Sequence, residues 1–152
     1  MLLPRTTTEY GTAPTLSQLH GHQAVPLLTR GIPAGPAAAR TARLEARGRF
    51  KEELLPEAAD NLELVVTELV TNASEVTGEG ATVQMRIRSA DGALLVEVID
   101  DCPVAPKPRS PSDDDEEGRG LLLVDSVCTS WGWHWSDEGK TVWAIVPTAP
   151  CA

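Results

Sequence analysis

Several short groups of residues in this chain could do chemistry together. Glu68 and Asn72 stand four apart in the stretch Glu68-Leu69-Val70-Thr71-Asn72-Ala73. On a helix of about 100° per residue they lie one turn apart on a single flank. A carboxylate and a carboxamide stacked in this way can share one small ligand. Oxygen donors with a single negative charge suit Mg²⁺, which keeps its other positions for water and phosphate. The same pair also suits the polar edge of an ordinary amphipathic helix.

Asp100 ends a run in which Leu94, Val96 and Val98 alternate with other residues. It therefore lies on the strand face expected to be buried. A carboxylate there is costly unless it meets a donor. The exocyclic amine of adenine would be one such donor. A backbone amide, reached by the side chain turning back, would be another. Further on, Gly118-Arg119-Gly120-Leu121 opens a helix. Paired glycines let successive N–H groups point outward at a helix start, which attracts anions, and Arg119 adds a cation that can fork onto phosphate. Alone, a glycine pair before a helix is a common feature. Gly139-Lys140-Thr141 ends like a phosphate-binding loop. His134 stands where that motif needs a glycine, however, and the segment joins two strands, so that reading is set aside.

These residues need elements to hold them. Residues 24–30 are a candidate first strand, and Pro33-Ala34-Gly35-Pro36 a turn. A helix is expected over 37–55. Pro56 then suits the first turn of a second helix. Leu62, Val65, Val66, Leu69, Val70, Ala73 and Val76 repeat on its apolar stripe as far as Gly78-Glu79-Gly80. Strands over 81–88 and 94–100 flank Asp91-Gly92, a strong hairpin turn. Residues 101–117 carry four prolines and read as a long loop. A helix over 121–128 and strands over 131–135 and 141–146, joined by 137–140, complete the order. Helices segregated on one face of a mixed, mostly antiparallel sheet make an α+β, two-layer sandwich. Residues 1–22 read as a disordered arm, 23–148 as the domain and 149–152 as a tail.

Two surface features stay open between a plain and a functional reading. Arg40, Arg43, Arg47 and Lys51 share one face of the first helix. They form either a solvated stripe or a docking face for an acidic partner. Trp131, Trp133 and Trp135 share one face of a strand, either as core or as a dimer or partner surface.

Over its 152 residues the chain carries 13 Lys and Arg against 22 Asp and Glu, a net charge of −9. This balance argues against nucleic-acid binding by bulk charge and against anionic membranes. More than half of the net charge lies in one run, Asp113-Asp114-Asp115-Glu116-Glu117, just before the glycine turn. Such a run repels a triphosphate unless it faces solvent or binds cations. Cys102, Cys128 and Cys151 have no paired spacing, which points to a reducing compartment, and no apolar run is long enough for a membrane span. A cytoplasmic protein is expected.

The order Glu-x-x-x-Asn on a helix, Asp at a strand end, long loop, Gly-x-Gly and a last strand carrying Thr141 resembles a known ATP-binding superfamily. It is shared by sensor histidine kinases, DNA gyrase and mismatch-repair ATPases (the Bergerat fold). The likeness covers about residues 24–147. The strings around Glu68–Ala73 and Glu117–Val124 look most like the stand-alone anti-sigma-factor serine/threonine kinases. That resemblance implies ATP and Mg²⁺ as cofactors and gives each matching residue a role. Glu68 would be the general base, or would hold a catalytic water or hydroxyl, and Asn72 would hold Mg²⁺. Asp100 would read adenine, with Thr141 beside it. Gly118, Arg119, Gly120 and Leu121 would surround the phosphates. It implies γ-phosphoryl transfer to a Ser or Thr of an anti-anti-sigma (STAS-type) partner, with a sigma factor as a further partner and a possible homodimer; the charge balance and the lack of an apolar span leave no direct nucleic acid and no membrane as partners. The sequence departs from that family at Glu75 and Val76, where a basic residue and a His are usual. It also departs at Asp100-Asp101-Cys102-Pro103, which lacks the usual glycine. These departures leave a second reading, a partner-sequestering anti-sigma module with a degenerate nucleotide site and little catalysis.

Overall fold

The longest amphipathic helix organises the molecule. In the computed structural model, which describes residues 25–90, 92–102, 124, 126–137 and 139–148, helix α2 runs Pro56–Thr77. Pro56 starts it at no cost, because the first helical N–H has no intrahelical partner anyway. Ala58, Leu62, Val65, Val66, Leu69, Val70 and Ala73 are buried along one face, as their helical spacing predicts. The preceding helix, α1, spans Ala38–Phe50 and buries Ala38, Ala42, Ala46 and Phe50. It is five residues shorter at its end than the expected 37–55. Leu55 must be extended before Pro56, and it is, with ψ 152°. The chain therefore turns over 51–54, where Glu53 and Leu54 donate to the Phe50 carbonyl.

Five strands form one sheet: β1 Val25–Pro33, β2 Thr82–Ala90, β3 Ala93–Asp100, β4 Ser130–Ser136 and β5 Gly139–Pro147. Their spatial order is β1-β2-β3-β5-β4, and each pairing is antiparallel. Ala90 opposes Ala93 across a two-residue turn in which Gly92 has φ 70°, as the Asp-Gly signal requires. β1 reaches Pro33 rather than stopping near Arg30. As an edge strand it tolerates a residue without an N–H.

Both helices lie on one face of the sheet. Leu28, Ile32, Val83, Met85, Ile87, Val96, Val98, Ala144 and Val146 join the buried helix residues in a single core. The opposite face carries a small second cluster of Leu95, Trp143 and Ile145. Beside it Arg86 forks onto Glu97 at 3.0 and 3.2 Å. This is the two-layer α+β sandwich that the order of elements requires. Of the helix expected over 121–128, Val124 and residues 126–127 are described, with the Cys128 N–H bonded to the Val124 carbonyl. Residues 1–24, 103–123 and 149–152, including the expected arm, most of the long loop and the tail, lie outside the described residues. Among the described residues no helix is long and apolar enough to cross a membrane.

Near its end α2 departs from the expected apolar stripe. Val76, placed on the apolar stripe, is 52% exposed, because it falls in the final turn of the helix. Ser74 is buried instead. Its Oγ accepts the Gly35 N–H at 2.8 Å and donates to the Gly35 carbonyl at 3.2 Å. One hydroxyl thus ties the turn before α1 to the end of α2. Ser74→Ala would strand a backbone N–H and lower stability by about 1–3 kcal/mol. Urea unfolding with an unchanged m-value would measure the loss.

The tryptophan face proves to be core at two of three positions. Trp133 is buried and Trp131 packs against the main cluster. Trp135 remains exposed and meets Trp133 edge-on, with ring centroids 5.4 Å apart. Arg40, Arg43 and Arg47 on α1, and Lys51 just beyond its end, are all exposed. Arg47 reaches across to Glu63 on α2 at 2.6 Å.

Candidate functional site

The end of β3 buries two opposite charges, Asp100 and Lys140. Strand alternation puts Asp100 on the helix face with Val96 and Val98, and only 2% of it is exposed. One oxygen, Oδ1, accepts the Cys102 N–H at 2.9 Å. This is the strand-end turn-back that aspartate commonly makes. The other oxygen, Oδ2, is buried without a hydrogen-bond partner. An orphaned carboxylate oxygen inside a protein is costly. Burial accordingly pushes the Asp100 carboxyl above its usual range, and the Lys140 ammonium partly offsets the shift.

Lys140 is the residue that reading the sequence did not find. β5 starts at Gly139, two residues before the expected 141. Only residues 137–138 remain in the connection from β4. The earlier start brings Lys140 opposite Asp100 in the β3–β5 register. Its Nζ lies 3.5 Å from Asp100 Oδ1, and Lys140 is only 3% exposed. Thr141 takes the next position and pairs with Ile99. It is buried on the same face as Trp143 and Ile145, away from Asp100. The structure therefore separates Thr141 from Asp100 and puts a lysine in the place expected of it. The signal was present in Gly139, which can open a strand beside a close neighbour.

Gly139 is required by geometry. Its φ is 129°, which side-chain-bearing residues rarely adopt, and a Cβ there would run into the Asp100 carbonyl oxygen. The glycine thus lets β5 lie tightly against the end of β3 and sets Lys140 in register with Asp100.

Glu68 and Asn72 sit half-buried on α2, which packs on β2, β3 and β5. Their i, i+4 spacing holds them on one flank, as expected. Burial raises the Glu68 carboxyl above its ordinary value. Thr71, between them, turns its hydroxyl back to the Thr67 carbonyl at 2.7 Å. Glu75 and Val76 are exposed on the last turns of the same helix. Gly118, Arg119, Gly120 and Leu121 lie outside the described residues. Two cavities lined by described residues lie elsewhere, one between α1 and α2 beside Phe50 and Leu62, the other beside Ser74 and Gly78. Neither is lined by Glu68, Asn72 or Asp100.

The residues present fit a nucleotide in two respects. Asp100 Oδ2 is a buried acceptor that lacks a donor, and a base amine supplies one. Asn72 offers a neutral oxygen of the kind Mg²⁺ accepts while keeping water and phosphate as its other ligands. Among the described residues no three His, Cys, Asp or Glu groups converge as a protein metal cage.

Comparison with known families gives a match. The model of the family described as histidine kinase-like ATPase domain matches residues 32–146. That span starts within β1, ends within β5, and contains every residue assigned to the candidate site. Comparison with curated proteins gives no match.

Proposed function

Because the chain belongs to the histidine kinase-like ATPase domain family, we propose that it is an ATP-binding regulator of the anti-sigma-factor serine/threonine kinase type. It would bind MgATP and phosphorylate a Ser or Thr of an anti-anti-sigma, STAS-type partner. The observation that carries this reading is the buried Asp100 with its partnerless Oδ2, at the strand end where a base amine would complete it.

Each residue has one task. Asp100 Oδ2 would accept from the exocyclic amine of the base and fix its orientation. Asn72 would hold Mg²⁺ through its carboxamide oxygen. Gly118, Arg119, Gly120 and Leu121 would surround the phosphates. Bound MgATP supplies the γ-phosphoryl group and the charge neutralisation that its transfer needs. Glu68 would take the proton from the partner's hydroxyl as that oxygen bonds to phosphorus and the bond to the ADP oxygen breaks. Its raised pKa suits a base, since proton affinity improves as the carboxyl moves toward neutrality.

Glu68→Gln separates this role from a structural one. Phosphoryl transfer to the partner should fall by about 100-fold or more, while nucleotide affinity stays within a few-fold. Stability should move the other way. Burial makes the folded state hold the Glu68 proton more tightly than the unfolded state does. The resulting stabilisation is present in acid and lost as pH rises through the raised pKa. Glutamine suffers no such loss. The variant should melt no lower than wild type at neutral pH, and the difference should close in acid. A variant that melts lower and transfers phosphate normally would overturn the assignment.

A second reading keeps the fold and removes the turnover. Glu75, Val76 and Cys102 replace the residues that the kinases use near phosphate and base, and the Arg40, Arg43 and Lys51 side of α1 is exposed. These features favour an anti-sigma module that sequesters its partner and binds nucleotide weakly. In that case Glu68→Gln leaves both partner binding and regulation intact.

A further inference from the structure

We propose that residues 1–24 of this chain dock on the sheet face opposite the helices and cover strands β3 and β5 there as a third layer. The strand sequences differ in a way that calls for such a cover. β2 alternates, with Gln84, Arg86 and Arg88 between and after Val83, Met85 and Ile87, the pattern of a sheet with one face in water. β3 instead reads Leu94-Leu95-Val96-Glu97-Val98-Ile99, and β5 reads Val142-Trp143-Ala144-Ile145-Val146. Near-continuous apolar runs belong to strands buried on both faces.

The burial follows the same division. Leu95, Glu97, Ile99, Thr141, Trp143 and Ile145 alternate with residues of the helix-side core, so they point to the other face. All six are buried, and Trp143 is only 4% exposed within the single chain. A tryptophan on an open sheet face would keep one side of its ring in water. Thr29, Gly31, Thr82 and Gln84, on the same face, are exposed. The covered band therefore follows β3 and β5 and spares the outer part of β1 and β2. Both helices pack on the opposite face, and among the described residues no other element packs on this one. Residues outside the described ones must supply the cover, and they belong to the same chain.

Position selects among the three stretches available. Residues 103–123 leave β3 beyond Asp100, at the far end from Leu95, and return at Val124 in the helix-side core. Residues 149–152 are only four, too few to cover two strands over the about 13 Å between Leu95 and Ile99. Residues 1–24 join β1 at Val25. The registers set Pro26, Arg88, Leu95 and Ile145 in one row across the sheet. The arm thus meets the sheet level with the covered residues. From β1 to β5 is three strand spacings, about 14 Å, which about five extended residues cross. Leu19 and Leu16 come next along the arm and are apolar side chains within reach of Leu95 and Trp143.

Photo-crosslinking of the full chain tests the proposal. p-Benzoylphenylalanine replaces Leu95 in one protein and, in a second, Arg88, which is half-buried at the margin of the covered band. Isotope-labelled and unlabelled chains are mixed before irradiation, and circular dichroism establishes that each protein is folded. Peptide mapping should place crosslinks in residues 1–24 of the same chain. Leu95 decides the result where that protein folds, and Arg88 decides it otherwise. Crosslinks joining labelled to unlabelled chains would put a second copy on the face and overturn the proposal. Crosslinks to 103–123 or 149–152 in place of 1–24, or none outside the strands themselves, would overturn it as well.

Discussion

Asp100→Ala is expected to weaken nucleotide binding by about 10- to 100-fold and to destabilise the fold by about 3–5 kcal/mol, because it leaves Lys140 buried without its counter-charge. The two effects have different causes and can be separated. Lys140 is 3% exposed and its ammonium lies 3.5 Å from Asp100, so the structural loss belongs to the broken pair. Replacing both partners with apolar groups removes the buried charge altogether, which is often neutral for stability. Asp100→Ala combined with Lys140→Met should therefore regain most of the lost stability. It should regain no nucleotide binding, since the acceptor for the base amine is gone. Loss of one charge-assisted bond corresponds to about 10- to 100-fold in affinity. Denaturant unfolding of the two single variants and the double variant, with nucleotide titration of each, gives the full cycle. A double variant that binds ATP as tightly as wild type would show that Asp100 serves only the fold.

Gly139→Ala is expected to cost about 2–4 kcal/mol and to weaken nucleotide binding in parallel. The φ of 129° already penalises any side chain. The added methyl group must also displace the Asp100 backbone, since its Cβ would collide with that carbonyl oxygen. Strand β5 cannot then keep its register at the end of β3. The Asp100–Lys140 pair is the first to lose its geometry, because it is the last pair of that ladder. Thermal melting and nucleotide titration should show both losses together. Normal stability with normal binding would mean that β5 opens elsewhere.

The two residues of the central pair were unequally legible in the sequence. Asp100 could be placed because its strand announces its buried face through Leu94, Val96 and Val98. Alternation is a local signal and needs no knowledge of neighbours. Lys140 depends on which strand lies beside β3 and in what register. The neighbour is β5, some forty residues on, and local composition is silent on that pairing. Gly-Lys after an acidic turn reads as loop, and tertiary pairing overrides this. Pro33 likewise reads locally as a turn and belongs to an edge strand.

The helices show the same division. The stripe on α2 was readable through Ala73 because its period is helical. It failed at Val76, where the last turn is exposed, and at Ser74, whose burial depends on Gly35, 39 residues away. The shortening of α1 could have been inferred, because Pro56 forces an extended Leu55. The pairing of Thr141 with Asp100 comes from the resemblance alone, and the register sets Lys140 opposite Asp100 and Thr141 opposite Ile99.

The most direct measurement is calorimetric titration of the full chain with ATP in the presence of Mg²⁺. Saturable binding of one nucleotide per chain is expected. In the Asp100→Ala, Lys140→Met double variant this binding should weaken by about 10- to 100-fold while the variant stays folded. Absence of binding heat from the wild type, or equal affinity in the folded double variant, would contradict this expectation.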